Sequence, residues 1–161
     1  MARLGGRETP ITEAAEIQRV AELLGGARIL RRQVRNSLDA HELLLKGLPG
    51  RALTHLIDSL VLIEWATPLE KAVGISLRTL QRRKNAPAEP LSQEQSGRTW
   101  KFAEILAKAT AVLGSQEEAE QWLERPAIGL DQRRPIDLLA TPAGVELVED
   151  FLERLEYGVY T

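Results

Sequence analysis

The stretch TPLEKAVGISLRTLQRRK, residues 67–84, decides the predicted fold because it holds the start and stop signals of two short helices. At Thr67 a capping hydroxyl is followed by a proline and, three residues after the cap, by a glutamate, which is typical of a helix start. Gly74 ends this helix, and Ser76 caps a second one over Leu77–Lys84, which the proline-containing segment NAPAEP ends. The stretch therefore predicts a helix, a tight turn and a second helix.

The rest of the chain also shows helical periodicity, because apolar residues recur at three- and four-residue spacing and β-branched runs are scarce. We therefore predict an all-α protein, a helical bundle in which the helix-turn-helix precedes a small helical domain. Further helices are expected from a cap at Thr12 to Leu24, over the basic stretch Arg28–Arg35, over Asp39–Lys46, from Pro49 with an apolar face reaching Val61, from the capping box Ser92/Gln95 to Leu113, from Ser115 to Glu124, and from Thr141 to Glu156.

The second helix of the opening stretch is the candidate for binding nucleic acid, since no acidic residue interrupts residues 76–84. In a helix-turn-helix this element enters the DNA major groove, and Leu77 and Leu80 are expected to face the first helix. Glu70 is unusual for a helix-turn-helix, because a small residue is normal four positions before the turn glycine. An ordinary helical hairpin with a solvated basic face is therefore an alternative to DNA binding. The candidate DNA-binding residues are Ser76 for a phosphate, Arg78, Gln81 and Arg82 on the outer side, and Thr79, Arg83 and Lys84 beside them.

Charge divides the chain into two unlike parts, although the net charge is only −2. Residues 1–103 carry 16 Lys and Arg against 11 Asp and Glu, a balance of +5, whereas residues 104–161 carry 5 against 12, a balance of −7. Such an asymmetry favours a polyanion as partner of the basic part and a different, basic partner for the acidic part. Solvated helix faces are the alternative explanation.

Several classes of function are disfavoured by what the sequence lacks. The chain has no cysteine, which excludes disulfides, thiolate catalysis and cysteine zinc sites. Its two histidines, His41 and His55, lie in no metal-binding or catalytic pattern, and there is no phosphate-binding glycine loop, nucleophile elbow or dinucleotide fingerprint. We predict a protein that is not an enzyme and needs no cofactor or metal, and the lack of an apolar leader or membrane span favours the cytoplasm.

The last forty residues, from Trp122 to Thr161, are too polar and too specifically punctuated for core packing alone. They end in a charged helix and the aromatic tail YGVYT, which no following chain covers. We interpret this segment as a surface that binds a partner. Trp122 and Leu123 are expected to anchor the core. Pro126 and Pro135 are expected to bracket a fixed loop, in which Asp137 caps or orients the following turn.

Five blocks occur in an order that resembles the Xre/MbcA/ParS antitoxins of bacterial type II toxin-antitoxin systems. They are GISLRTLQRRK at 74–84, LSQEQSGR at 91–98, WLERPAIGL at 122–130, RRPIDLLATPAGVE at 133–146 and RLEYGVYT at 154–161. The resemblance runs from about Leu48 to Thr161, and the first forty or so residues match nothing. The usual partner of these antitoxins is a RES-domain toxin, which acts on NAD.

The resemblance implies an Xre-like DNA-binding domain followed by a toxin-binding domain, in a homodimer that represses its own operon and neutralises its toxin. It also implies that the C-terminus enters the toxin active site. Rigid aromatic side chains and the flexible Gly158 would fit closely against a concave wall. The terminal carboxylate and Glu156 could pair with cations in that site. The candidate toxin-binding residues are Glu156, Tyr157, Gly158, Val159, Tyr160 and Thr161.

Domain limits follow from the loop around residues 85–91. We expect an N-terminal helical extension over residues 1–37, whose order the sequence leaves open, a helix-turn-helix domain over 38–90, and a toxin-binding domain with its inhibitory tail over 91–161. Two alternatives remain: a stand-alone helix-turn-helix transcription regulator, and a toxin inhibitor that does not bind DNA.

Overall fold

The computed structural model describes residues 4–158, with side chains from residue 13 onward. Over that range the chain forms ten α-helices and one short 3-10 turn, without a strand, which confirms the all-α prediction. The helices are α1 Leu4–Leu23, α2 Gly26–Leu30, α3 Ser37–Lys46, α4 Gly50–Ser59, α5 Thr67–Val73, α6 Leu77–Asn85, α7 Gln93–Leu113, α8 Gln116–Leu123, α9 Pro135–Leu138 and α10 Pro142–Glu156, with the 3-10 turn at Ile128–Leu130.

Helix α7 is the centre of the bundle and packs against α1, α3, α5, α8 and α10. It begins with the predicted capping box, in which the Ser92 and Gln95 side chains each bond the other residue's backbone N–H. Its buried residues recur at three- and four-residue spacing, which gives the helix an apolar stripe along most of its length. They are Ser96, Thr99, Trp100, Phe102, Ala103, Ile105, Leu106, Ala107 and Ala109.

A buried carboxylate fixes the loop between α4 and α5. Glu120 of α8 is fully buried, and its two oxygens accept hydrogen bonds from the backbone N–H groups of Val61, Leu62 and Ile63 at 2.8–3.1 Å. The Gln116 amide donates a further bond at 2.8 Å. Because a buried charge is tolerated only when its hydrogen-bonding capacity is filled, Glu120 specifies the path of this loop.

The same contact explains why α4 is shorter than expected. In a longer helix the N–H of Val61 would bond the Ile57 carbonyl, but here that N–H is bound to Glu120. The helix therefore ends at Ser59, and Val61, predicted to lie on the apolar face, is 59% exposed. The predicted cap at Thr67 is also wrong, since Thr67 is the first residue of α5 and follows Ala66.

Two predictions near the N-terminus are wrong as well. The first helix begins at Leu4, so Thr12 lies within it. A capping residue marks only a possible helix start, and the chain before it is also helical. The basic helix expected over Arg28–Arg35 ends after Leu30, because Arg31 takes a left-handed conformation with φ of 62° and its N–H closes the helix on the Ala27 carbonyl.

The helix starts predicted at Ser76, Ser115 and Thr141 are confirmed, because each hydroxyl accepts a hydrogen bond from the backbone N–H three residues later. None of the helices in the described part of the chain combines the length and apolarity that crossing a bilayer requires.

Replacing Glu120 by alanine is expected to lower the free energy of unfolding by about 3 kcal/mol, because three loop N–H groups and the Gln116 amide lose their acceptor. Urea denaturation measures the change. Glu117→Ala is the matched control, since Glu117 is exposed on the same helix and its loss should change stability by less than about 0.5 kcal/mol. Equal stability of the two variants would show that Glu120 does not hold the loop.

Candidate functional site

The turn between α5 and α6 is closed by backbone hydrogen bonds to one carbonyl. The N–H groups of Gly74 and Ile75 bond the Glu70 oxygen at 2.8 and 3.2 Å. Gly74 has φ of 72°, a left-handed conformation that glycine adopts without strain. The Glu70 side chain is half-buried, and the turn forms around its backbone carbonyl. The chain thus has the helix, tight turn and second helix that residues 67–84 predicted.

Ser76 fixes the start of α6. Its hydroxyl oxygen accepts the Thr79 N–H at 3.2 Å, and its proton is donated to the Thr79 hydroxyl at 3.1 Å. A serine in this role satisfies one of the free amides of the helix start. The hydroxyl predicted to meet a phosphate is therefore already engaged in capping.

The outer side of α6 carries most of the predicted DNA-binding residues. Arg78, Gln81, Arg82 and Lys84 are exposed, and Thr79 is half-buried. The ion pairs found among the described residues include none of the cations Arg78, Arg82 and Lys84. These three charges are consequently available to an anion from solution.

Arg83 lies apart from the others. Its side chain is only 8% exposed, packs against Gly50 at the start of α4, and lies 3.6 Å from the Glu89 carboxylate. Leu80 and Arg83 are three residues apart and form the buried face of α6. The structure therefore places Arg83 between α6 and α4, where it can hold the helix but cannot share the exposed side.

The prediction that Leu77 faces α5 is wrong, because this residue is 47% exposed. The helix packs through Leu80 and Arg83, and so its first residue projects beyond the contact. Sequence periodicity could not show which turn of so short a helix is covered. An exposed leucine beside Arg78 adds an apolar group of the kind that contacts thymine methyl groups.

Arg98 of α7 braces the turn and was not singled out by sequence reasoning. Its guanidinium lies against Gly74, donates to the Lys71 carbonyl, and donates to the Ala140 carbonyl at 3.2 Å. A Cβ at Gly74 would lie 2.6 Å from Nη1 of Arg98, so a larger residue there would displace the guanidinium. One side chain thereby joins the helix-turn-helix to the segment that leads into α10.

Lys101 forms a second link between α7 and α10. Its ammonium group bonds the Glu104 and Glu149 carboxylates, the latter at 3.0 Å. Partial burial alone would lower the pKa of Lys101, but the hydrogen bonds to these carboxylates outweigh it and raise the pKa. The link therefore contributes stability below the ordinary lysine pKa of about 10.4, and that contribution is lost as the pH rises through the folded-state pKa.

The C-terminal part presents its own exposed side chains. Tyr157 follows α10 directly and is 72% exposed, while Glu156 lies 3.9 Å from Lys108. Gly158 has φ of 72°. The predicted tail residues Val159, Tyr160 and Thr161 lie outside the described residues. The part of the tail that is described therefore has its aromatic ring in solvent.

Two other exposed apolar residues were missed by sequence reasoning. Ile128 is 80% exposed in the 3-10 turn, and Leu147 is 53% exposed on α10. Helical periodicity gives no signal for Ile128, since it lies in a loop, whereas Leu147 falls outside the apolar face of α10 that contains Val148 and Leu152. Both extend the surface available to a partner.

The loop that carries Ile128 is rigidly held. The Ala127 N–H bonds the Arg133 carbonyl at 3.1 Å, and the Arg134 guanidinium makes two bonds of 2.8 and 3.0 Å to Asp137. The hydrogen bond to Asp137 raises the pKa of Arg134. Asp137, expected to cap or orient the following turn, forms an exposed ion pair with Arg134 at the start of α9.

Trp122 and Leu123 anchor the C-terminal part as expected. Leu123 is fully buried, and the half-buried Trp122 ring packs against Phe151 with centroids 5.8 Å apart. Pro135 is buried, whereas Pro126 is exposed. Among the described residues, no group of three or more His, Asp or Glu side chains is arranged to hold a metal ion.

Two regions of the chain, the helix-turn-helix and the C-terminal part, match known protein domains. Residues 66–104 match the antitoxin Xre-like helix-turn-helix domain, and residues 108–158 match the antitoxin Xre/MbcA/ParS C-terminal toxin-binding domain. Antitoxin Xre of Pseudomonas putida is 30% identical over 126 residues, which are 78% of this chain and 76% of that protein. Antitoxin Xre of Yersinia enterocolitica is 32% identical over 130 residues, which are 71% of this chain and 87% of that protein.

The chain belongs to the Xre/MbcA/ParS antitoxin family. Antitoxin Xre of Photorhabdus laumondii is a further relative, 28% identical over 90 residues, which are 55% of this chain and 60% of that protein. The antitoxins of this family are not enzymes, and the membership confirms that prediction.

The antitoxin therefore combines a helix-turn-helix domain with a toxin-binding domain. The two matched regions meet between residues 104 and 108, inside α7. The division into residues 1–37, 38–90 and 91–161 stays a prediction. In the structure α7 packs against helices from both matched regions.

Ser76→Ala in this antitoxin is expected to lower the free energy of unfolding by about 1 kcal/mol, since the cap of α6 is lost. Thermal or urea unfolding measures it. Ser76→Asn restores a capping acceptor and should recover most of the stability. If Ser76→Ala were as stable as the wild type, the capping role would be refuted.

Proposed function

We propose that this antitoxin neutralises a RES-domain, NAD-consuming toxin by inserting its C-terminus into the toxin active site, and represses its own operon through α6 as a homodimer. The observation that carries the proposal is the presence, in one chain, of unpaired cations on the second helix of a helix-turn-helix and an exposed aromatic residue at the end of the toxin-binding region. Each half supplies a surface suited to one partner.

DNA binding by α6 is supported by charge and reach. Arg78, Arg82 and Lys84 are exposed and have no ion-pair partner among the described residues, so binding a phosphate or a base edge breaks no interaction there. Arginine can donate two hydrogen bonds to guanine in the major groove, and Gln81 can do the same for adenine. Phosphate contacts set the position of the protein, and these side chains supply the sequence specificity.

The proposed contribution of Arg83 is indirect. It lies buried between α6 and α4, and its guanidinium is 3.6 Å from the Glu89 carboxylate, beyond the end of α6. Ser76 similarly caps the start of this helix. Both residues position the helix, while Arg78, Gln81, Arg82 and Lys84, with Thr79 beside them, contact DNA.

Active-site insertion is supported by the end of α10. Tyr157 is exposed, and a tyrosine buries a large area at low entropic cost when it enters a concave site. The described carboxylates of α10 include the exposed Glu146, Asp150 and Glu153. A site that binds the phosphates of NAD needs cations, and an acidic helix complements them. We assign Glu156 through Thr161 to the inserted segment.

A homodimer is supported by the face of α3. Leu38 and Leu45 are seven residues apart, which places them on one side of the helix, and they are 65% and 52% exposed. An isologous contact repeats one such patch across a two-fold axis. Two copies of α6 related in this way read two half-sites of an operator.

Arg82→Ala is expected to weaken binding to the operator by about 1–3 kcal/mol, because it removes one base or phosphate contact. Titration of a duplex from upstream of the antitoxin gene, followed by fluorescence anisotropy, measures the loss. Arg125→Ala is the control, as it removes an equally exposed arginine from the C-terminal part. Identical operator affinities of wild type and Arg82→Ala would remove Arg82 from the interface.

A chain that ends at Glu156 is expected to lose on the order of 2 kcal/mol or more of toxin affinity, because the aromatic anchor is absent. NAD consumption by the purified toxin encoded beside the antitoxin gene measures inhibition by the full and shortened chains. Tyr157→Ala in the full-length chain should give part of the loss.

Val61→Ala serves as the control for the tail variants, since Val61 is an exposed apolar residue outside the matched toxin-binding region. It should inhibit as the wild type does. Full inhibition by the chain ending at Glu156 would mean that the body of the domain, including Ile128 and Leu147, blocks the toxin without the tail.

A further inference from the structure

A groove beside the helix-turn-helix is cationic, and all of its basic lining residues lie outside the matched residues 66–104. It has a volume of about 810 Å³ and is bounded by α2, the chain that follows it, α3, the start of α4, and the segment Pro87–Pro90. Six of the residues that line it are basic, and one is acidic, Asp39. The basic residues are Arg28, Arg31, Arg32, Arg35, Lys46 and Arg51.

Most of this positive charge is not neutralised by the protein. Arg32 pairs with Asp39 at 3.3 Å and with Glu42 at 3.4 Å, which uses the one acidic lining residue. The other five basic side chains are exposed, and they take part in none of the ion pairs found among the described residues. The groove therefore offers several free cations within one concave surface.

The conformation of Arg31 is unusual for its residue type. Its φ of 62° lies in the left-handed region, where a side chain costs about 1 kcal/mol and glycine would fit without strain. The position nevertheless carries an arginine that lines the groove. This adds a cation where the backbone alone would favour glycine.

Backbone hydrogen bonds join the groove to α6. The N–H groups of Gly50 and Arg51 bond the carbonyls of Glu89 and Pro87, both at 3.0 Å. The Leu91 N–H bonds the Leu48 carbonyl at 2.7 Å. One wall of the groove is thus the segment that directly follows α6, held against α4.

The wall of the groove begins close to the end of α6. Lys84 and Pro87 are three positions apart in the chain, so their Cα atoms are at most about 11 Å apart. DNA presents one phosphate per about 3.4 Å of helix axis on each strand. The nearest wall of the groove therefore begins within about three phosphate spacings of the end of α6.

We propose that this groove binds the phosphodiester backbone of DNA beyond the segment that α6 contacts. The inference rests on the proposed binding of DNA by α6. Arginine forms paired hydrogen bonds with phosphate oxygens, and the groove concentrates five arginines. None of the described lining residues is aromatic, so the groove provides phosphate contacts without a surface on which bases stack.

Through the groove, the N-terminal residues contribute to the affinity for DNA and not to its sequence specificity. Contacts to phosphate oxygens carry no base information, so they strengthen binding to every duplex alike. This separates the groove from α6, whose loss should weaken the specific duplex more than a random one.

The test uses the full chain with the substitutions Arg28→Gln and Arg51→Gln combined. Both side chains are exposed, and neither makes an ion pair among the described residues. The control is Arg125→Gln with Arg133→Gln, which changes the net charge equally at exposed positions of the C-terminal part. Affinity is measured by fluorescence anisotropy at several salt concentrations, with the upstream duplex and with a random duplex of equal length.

The expected result is that the groove variant binds both duplexes on the order of tenfold more weakly at moderate salt, with an unchanged ratio between them. The slope of log affinity against log salt should become shallower by roughly two, about one for each phosphate contact removed. The control should bind as the wild type does, and circular dichroism melting should show that both variants are folded.

The outcomes separate this proposal from DNA binding by α6. Wild-type affinity and slope in the groove variant, alongside weakened binding by Arg82→Ala, would overturn the groove and leave α6 in place. Weakening by the groove variant but not by Arg82→Ala would support the groove and remove Arg82 from the DNA interface. A wild-type chain that binds neither duplex would overturn both.

Discussion

Burial of one helix, α7, is the constraint on which the rest of the structure depends. It exposes little apolar surface only because α1, α3, α5, α8 and α10 all pack against it. Its polar residues then make the specific connections. Buried Ser96 accepts the Leu48 N–H at 2.8 Å, Arg98 holds the turn before α6, and Lys101 holds α10. The two family-matched regions meet within this helix, so displacing it would alter both.

Local signals in the sequence were sufficient for the helix content and for most helix starts. Ser76, Ser92, Ser115 and Thr141 cap helices because each hydroxyl needs only the backbone three residues later, which a sequence can show. The order of the five sequence blocks was enough to identify the family. These inferences required no knowledge of how the helices pack together.

The errors occur where a distant residue decides the local structure. Helix α4 ends early because Glu120, almost sixty positions away, binds the amides that would extend it. Arg83 is buried and Leu77 is exposed because α6 packs on α4 through its later turns. The cationic groove escaped notice because its members come from four separate segments. Helical periodicity contains none of this information.

As a member of this antitoxin family, the chain is proposed to protect a cell from a toxin encoded beside it. The most direct measurement is the growth of cells that express the neighbouring gene product alone and together with the antitoxin. We expect growth to stop in the first case and to be normal in the second. A neighbouring product that does not slow growth, or an arrest that the antitoxin fails to relieve, would contradict it.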